Sequence, residues 1–174
     1  MTDIGKINFQ EIKDALDKIK GIDVLTKRIA VLEEEVAALK KYVPSIIFHA
    51  NVSDGKNPRA PQRYVIYDSV ILNKGSAYCP LTGVFSTPVT GTYSFTYSLI
   101  GGTTSNNTSV YLMRNGSRQS YIHSILGGEQ AQTGSMTTIL SLDKGDQVWV
   151  ELATGIAWSG TGAMCFEGVL LEAK

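Results

Sequence analysis

The sequence carries very little with which to do chemistry. Its 174 residues include two histidines and two cysteines. Neither His49 nor His123 has a second His or a Cys at the spacing a zinc site needs. No Gly-x-Ser-x-Gly elbow, phosphate-cradling glycine loop or dinucleotide fingerprint occurs. Asp143-Lys144-Gly145-Asp146 is too short for a calcium loop and lacks its closing glutamate, so it reads as a turn feeding a strand. An enzyme is the least expected class. Net charge is also missing: 16 basic residues balance 16 acidic ones. Nothing therefore draws the chain to nucleic acid or to an acidic membrane. No apolar run approaches the roughly 20 residues of a membrane span. The opening Met1-Thr2-Asp3-Ile4-Gly5-Lys6 is not an apolar leader, which leaves either a cytoplasmic protein or a mature form given a start Met.

What is present is unevenly spread. Half of the charged residues fall in the first 44 positions, which hold Gly5 and Gly21 and no proline before Pro44. Beyond Ser45, Gly, Ser and Thr take over. The residue before a proline is pushed out of helical geometry, which puts a boundary at Val43-Pro44-Ser45. In the first segment Ile22, Leu25, Ile29, Leu32, Val36, Leu39 and Val43 recur at alternating spacings of three and four. That is a coiled-coil pattern with β-branched residues at one core position and Leu at the other. Arg28 with Glu33, and Glu35 with Lys40, can pair across neighbouring helices. Ile12, Ala15 and Ile19 extend the stripe upstream, and the step from Ile22 to Leu25 breaks the alternation beside Gly21. The alternative is an amphipathic helix folded back on the rest of the chain.

Residues 45–174 read as many short strands. They are Ile46–Ala50, one within Tyr64–Ile71, Val84–Ser86, Thr92–Ile100, Ser109–Arg114, Arg118–Leu126, Ser135–Leu142, Gln147–Leu152 and Met164–Leu171. The Asn115-Gly116 pair is a strong hairpin turn. Gly91-x-Tyr93-x-Phe95-x-Tyr97 puts three rings on one strand face, because side chains alternate sides. Three such rings can nucleate a sandwich core.

Tyr67, Asn73, Tyr78, Phe85, Gly91, Tyr93, Phe95 and Tyr97 stand at spacings that resemble the signature of the globular head of complement C1q, in the C1q and tumour necrosis factor superfamily. Every spacing matches. The one departure is Tyr67, where the family usually has Phe; its hydroxyl needs a partner if buried. Leu140-Ser141-Leu142, Gly145–Val150 and Phe166-x-Gly168-x-Leu170-Leu171 look like the family's last three strands. The resemblance implies an all-β, ten-stranded jelly-roll sandwich over 45–174, preceded by a helical coiled coil over 1–44 as an oligomerisation stalk. It also implies a homotrimer, held by the coiled coil and the heads. β-branched residues followed by Leu favour two strands in parallel coils, and the trimeric head decides against that.

Function follows from the resemblance. Collagen-less members similar in layout are secreted and bind carbohydrates or microbial surfaces in innate immunity, which implies a lectin-like role. The candidate ligand residues are Trp158, Ser159 and Thr161 in a Gly-rich loop, and Arg114, Asn115, Arg118, Tyr121 and His123 on a hairpin. A Trp can stack on a sugar face; arginines flanking a turn can grip a carboxylate or sulfate. The plainer readings are a Trp plugging the end of the sandwich and a solvated turn. Trp149 reads as structural. Some family members hold calcium, but Asp54, Asp68 and Asp146 cannot be ranked as ligands. Cys79 and Cys165 allow an intrachain disulfide, an interchain link or free thiols. Sequons at Asn51, Asn106, Asn107 and Asn115 agree weakly with secretion. The alternative functions are a matrix or biomineralisation protein that binds metal, and a signalling ligand for a receptor.

Overall fold

In a computed structural model of the chain, residues 8–42, 44–54, 60–101, 107–124, 132–158 and 164–174 are described. The chain divides into two compact units, Met1–Val43 and Pro44–Lys174.

The first unit is one helix, α1, Phe9–Tyr42. Asn8 caps it, its side-chain oxygen accepting from Gln10 N at 3.1 Å, and Glu11 sits in the electropositive first turn. Ile12, Leu16, Ile19, Ile22, Leu25, Ile29, Leu32 and Val36 are all solvent-exposed. A helix of this length is unstable with such a stripe in water unless another apolar surface covers it. Leu16, three residues before Ile19, is exposed as well.

The second unit packs two five-stranded antiparallel sheets. The strands are β1 Ile47–Asn51, β2 Ser69–Lys74, β3 Tyr78–Cys79, β4 Val84–Ser86, β5 Gly91–Ile100, β6 Thr108–Arg114, β7 Ser117–Ser124, β8 Thr133–Leu142, β9 Gln147–Thr154 and β10 Cys165–Ala173. One sheet runs β2-β1-β10-β5-β8 and the other β3-β4-β9-β6-β7. This is the expected jelly roll. Two details differ from the pattern reading. The strand sought within Tyr64–Ile71 begins only at Ser69. Gln62 and Val65 instead bond backbone to backbone with Leu152 and Val150, continuing the side of β9 that β4 leaves. Two-residue β3 was not expected, being too short to show a period. Leu126, the expected end of β7, lies outside the described residues.

Phe48, Tyr67, Phe85, Tyr93, Phe95, Tyr97 and Phe166 are essentially inaccessible to solvent and fill the space between the sheets. Phe48 stacks on Tyr78 at 4.7 Å and meets Phe166 edge-on at 4.9 Å; Phe85 meets Phe95 edge-on at 5.2 Å. Each buried ring contributes about 1.5–3 kcal/mol from apolar burial alone. Two polar ties frame the cluster. Asn73 donates to Tyr78 O at 2.8 Å and accepts from Tyr78 N at 3.3 Å, fixing the β2–β3 link. Tyr97 Oη meets Ser120 Oγ at 3.2 Å, and Ser120 Oγ meets Thr138 Oγ1 at 2.6 Å, so hydroxyls join one sheet to the other.

A third tie closes one end of the sandwich. The β6–β7 turn is Asn115-Gly116 with both φ positive (49° and 88°), a geometry that suits these residues. Arg114 donates Nε and Nη2 to Asp146 Oδ2 at 3.0 and 2.7 Å, and Asn115 Nδ2 donates to Asp146 Oδ1 at 2.7 Å. Asp143 N adds a fourth donor at 3.0 Å. Burial alone would push the Asp146 carboxyl up. The hydrogen bonds from Asn115, Asp143 and Arg114, with the Arg114 charge, outweigh it and hold the group below the ordinary carboxylate range.

The Tyr67 hydroxyl is fully buried and has no hydrogen-bond partner among the described residues. Burial drives its pKa well above the ordinary value, with the neighbouring Tyr78, Cys165 and Tyr97 adding to the shift. Tyr67→Phe removes an unsatisfied group and leaves the ring. We expect it to raise stability by about 1 kcal/mol, read as a higher urea midpoint at unchanged slope. A lower midpoint would show that the hydroxyl is satisfied. For Asp146, the folded pKa lies below the unfolded value of about 3.9. Its contribution is therefore present above about pH 4 and lost as pH falls through the folded value. Asp146→Asn should cost about 1 kcal/mol at pH 6, kept small by solvent screening at this surface site. Urea unfolding at pH 6 and pH 3 should show the gap to the native chain narrowing; an equal gap at both would mean that the charge contributes nothing.

Candidate functional site

The same alternation that fills the core builds a second surface. Val110, Leu112, Ile122, Val148, Val150 and Leu152 point inward from β6, β7 and β9. Their neighbours Ser109, Tyr111, Met113, Tyr121, His123, Trp149 and Glu151 consequently point outward. Strand register lines them up. Trp149 faces Met113, which faces Arg118; Glu151 faces Tyr111, which faces Tyr121; and Ser109 faces His123.

Two arginine–aromatic stacks result on this face. The Arg118 guanidinium lies 4.1 Å from the centroid of Tyr111, and Tyr111 stacks on Tyr121 at 5.7 Å. Tyr121 is 58 % exposed. Beside the rings His123 Nδ1 and Ser109 Oγ share a hydrogen bond of 2.7 Å. On the other side of β9, Arg63 lies 5.4 Å from the Tyr64 ring and 5.7 Å from that of Trp149, with the two rings 5.2 Å apart. Among the described residues neither Arg63 nor Arg118 makes an ion pair or hydrogen bond. Their N–H groups are held in place by stacking and left unspent. Such a face can stack on a flat apolar ring and donate to oxyanions beside it.

The structure sorts the residues picked from sequence. Arg118, Tyr121 and His123 come together here, joined by Tyr111 and Ser109, which sequence reasoning passed over. Arg114 and Asn115 do not take part: both are committed to Asp146 at the end of the sandwich. The two arginines flanking the turn thus have different surroundings, Arg114 on Asp146 and Arg118 on Tyr111. Trp158 lies elsewhere, half exposed, its backbone N donating to Ile100 O at 3.0 Å. Ser159 and Thr161 lie outside the described residues. Trp149 is buried, but under Tyr64 on the outer face and not between the sheets.

The cysteines are both free, on strands of different sheets, so no intrachain disulfide joins Cys79 to Cys165. Cys165 N donates to Ser98 Oγ at 2.8 Å, and burial pushes its thiol pKa up against the opposing Ser98 hydrogen bond. Cys79 is exposed, and hydrogen bonds from the Thr82 hydroxyl and the backbone of Leu81 and Thr82 lower its pKa. Asp146 is taken by Arg114 and Asn115, and Asp68 accepts from Ser53 N and Oγ, both at 2.9 Å. Among the described residues no group of three or more His, Cys, Asp or Glu is placed to hold a metal. Of the sequons, Asn51 lies within β1 and Asn115 has its amide occupied in the turn tie; Asn106 lies outside the described residues. No described helix is long and apolar enough to cross a membrane.

Residues 47–171 match the model of the C1q domain family. Complement C1q tumor necrosis factor-related protein 3 of mouse is 35 % identical over 91 residues, which is 52 % of this chain and 37 % of that protein. Protein HP-25 homolog 1 of cattle is 32 % identical over 114 residues, 64 % of this chain and 52 % of that protein. The matched regions thus span between about a third and a half of these relatives' length. The globular domain of zebrafish complement 1qA shares the fold at a TM-score of 0.63 and 18 % identity, covering 75 % of this chain and 99 % of that one. With the family model spanning both sheets and the jelly roll in place, the chain belongs to the C1q domain family.

Proposed function

We propose that this protein is a secreted recognition molecule that works as a homotrimer and binds carbohydrate on microbial or cell surfaces, in the manner of a lectin of innate immunity. The Arg118–Tyr111–Tyr121 stack with His123 carries the reading. It is an exposed flat aromatic with unspent cationic donors, on a rigid sheet, where no acidic partner among the described residues quenches the arginine. Tyr121 would lie against a sugar face while Arg118 and His123 contact its hydroxyl or acidic substituents. Half-exposed Trp158 is a second contact, at the loop end of the same unit.

Oligomerisation supplies what one shallow face lacks. The uncovered stripe of α1 suits a coiled coil with further copies of itself. The outer face of the β1-containing sheet suits contact between heads. It is mixed, with Ile47, Leu72, Val169 and Ile139 around a His49–Glu167 pair at 3.4 Å. Residues 1–44 then act as stalk and 45–174 as head. Three linked heads gain affinity by avidity when ligands repeat at matching distances.

Sedimentation equilibrium should give three times the chain mass of 18.9 kDa. Leu32→Asp should lower the association markedly, and a monomeric native chain would overturn the trimer. On a glycan array, run with calcium and with chelator, we expect selective binding in both buffers. Tyr121→Ala should weaken it about tenfold per head, and more on the array, where avidity multiplies the loss. An intact trimer that binds no glycan in either buffer would overturn the lectin reading in favour of a protein receptor.

A further inference from the structure

Across β9 from the Tyr121 patch, a cleft of about 650 Å³ is cut into the same sheet. One wall is the Gln62–Ile66 segment and the other is the β3–β4 hairpin, with Leu81, Thr82 and Val84; Ser86 and Gln147 line it as well. Its size falls in the range of small-molecule sites, about 300–1,000 Å³. The walls are pinned to each other. Gly83, at φ 73°, sits so close that a Cβ there would collide with the Val65 carbonyl oxygen. The cleft is therefore built into the fold and does not depend on a mobile loop.

Among the described lining residues none is Asp or Glu and Arg63 is a cation; the exposed Cys79 thiol, whose pKa its hydrogen bonds lower, lines the β3 side. Arg63 is fixed by stacking on Tyr64 and Trp149, yet none of its N–H groups finds an acceptor among the described residues. Below it the Trp149 Nε1–H is buried without a partner. The rest of the lining is apolar or neutral. Tyr64, Ile66 and Val84 offer carbon surface, and Leu81 stands 88 % exposed at the rim, an unusual position for a large aliphatic side chain. Gln62, Thr82, Ser86 and Gln147 are neutral.

We infer that this cleft binds a small amphipathic monocarboxylate. The carboxylate pairs with the Arg63 guanidinium, and the hydrocarbon body lies on Tyr64, Ile66, Val84 and Leu81. The argument is charge complementarity. A guanidinium without an acceptor among the described residues, in a half-apolar cleft whose described lining holds no Asp or Glu, has its bidentate donors available for an anion. The volume suits a molecule of drug-like size or smaller, not a polymer. The site does not rest on the lectin reading and shares no residue with the Tyr121 patch.

The test uses the full chain with octanoate and 3-phenylpropionate, each against its neutral primary amide. Intrinsic tryptophan fluorescence is followed in a Trp158→Phe background, so that Trp149 alone reports. The acids should give a saturable change, and the amides should bind at least about tenfold more weakly, the worth of a charge-assisted hydrogen bond. Arg63→Gln should bring the acids down to the amides and leave the amides as they were. Leu81→Ser should weaken both, and Tyr121→Ala neither. Thermal melting of each variant separates lost binding from lost fold. Equal binding of acid and amide, no saturable response to either acid, or Arg63→Gln without effect in a folded protein, would each overturn the site.

Discussion

The aromatic cluster between the two sheets is the constraint on which the head depends. Phe48, Phe85, Phe95 and Phe166 come from four strands in both sheets, and their ring contacts of 4.9–6.5 Å leave no freedom in sheet spacing. Gly168 shows how tightly they are drawn. It pairs with Phe95 on one side and Phe48 on the other, and a Cβ at that position would overlap both rings. The rings thus occupy the volume that a side chain on β10 would need. Gly91 meets a related constraint at the strand end, where a Cβ would strike the Glu172 carbonyl oxygen. The two glycines are there for space, not for turn geometry.

Seen this way, the sequence pattern that marks the family is a packing specification. Tyr78, Phe85, Tyr93, Phe95 and Tyr97 are rings in or against the cluster, Asn73 staples the approach to Tyr78, and Gly91 clears a crossing. Those positions were legible because each depends on local alternation or a fixed spacing. Tyr67 was legible too, down to its need for a hydroxyl partner, and that need goes unmet among the described residues. The ten-stranded sandwich follows from the same alternation, while two-residue β3 is too short to carry any period. The strand expected within Tyr64–Ile71 begins only at Ser69, and the backbone pairing of Gln62 and Val65 was not foreseen. That pairing, with β9, is long-range, and nothing local announces that β4 stops short and leaves the edge of β9 open.

The site was less legible, and the cause is a single residue. Counting back from the Asn115-Gly116 turn, an uninterrupted hairpin would set Tyr111 opposite Ser120 and send Tyr121 and His123 into the core. The ladder slips between Leu112 and Met113, where Arg118 pairs with Met113 and Ser120 with Leu112. Gln119 is the extra residue. A one-residue bulge exchanges the faces of everything beyond it. Ser120 turns inward, where its hydroxyl links Tyr97 to Thr138, and Tyr121 turns outward onto Tyr111. The bulge therefore makes the inter-sheet tie and the exposed stack in one step, and no residue type at position 119 advertises it. The Arg114 tie was illegible for a related reason: proximity to a turn in sequence says nothing of a carboxylate 32 residues away, and Asp146 accepts from both Nε and Nη2 of Arg114.

An open sheet face limits how such a molecule can work. With no walls, Tyr121 and Arg118 exclude little water from a ligand, so the hydrogen bonds they form compete with solvent and are worth about 1 kcal/mol each. A few such contacts leave a single head with weak binding, of the order of millimolar. Rigidity and repetition offset this. The rings are preset by stacking and need little ordering on binding. A short tether adds an effective concentration that is itself about millimolar, so a second engaged head multiplies affinity only when ligand spacing matches. On the proposed lectin reading, selectivity would lie in the spacing of ligands on a surface as much as in the sugar bound. The walled cleft at Arg63 works in the opposite regime, where partial desolvation strengthens one ion pair and a single head suffices. The two proposed sites would divide one sheet between a weak, repeated contact and a walled, monovalent one, with β9 as the border between them.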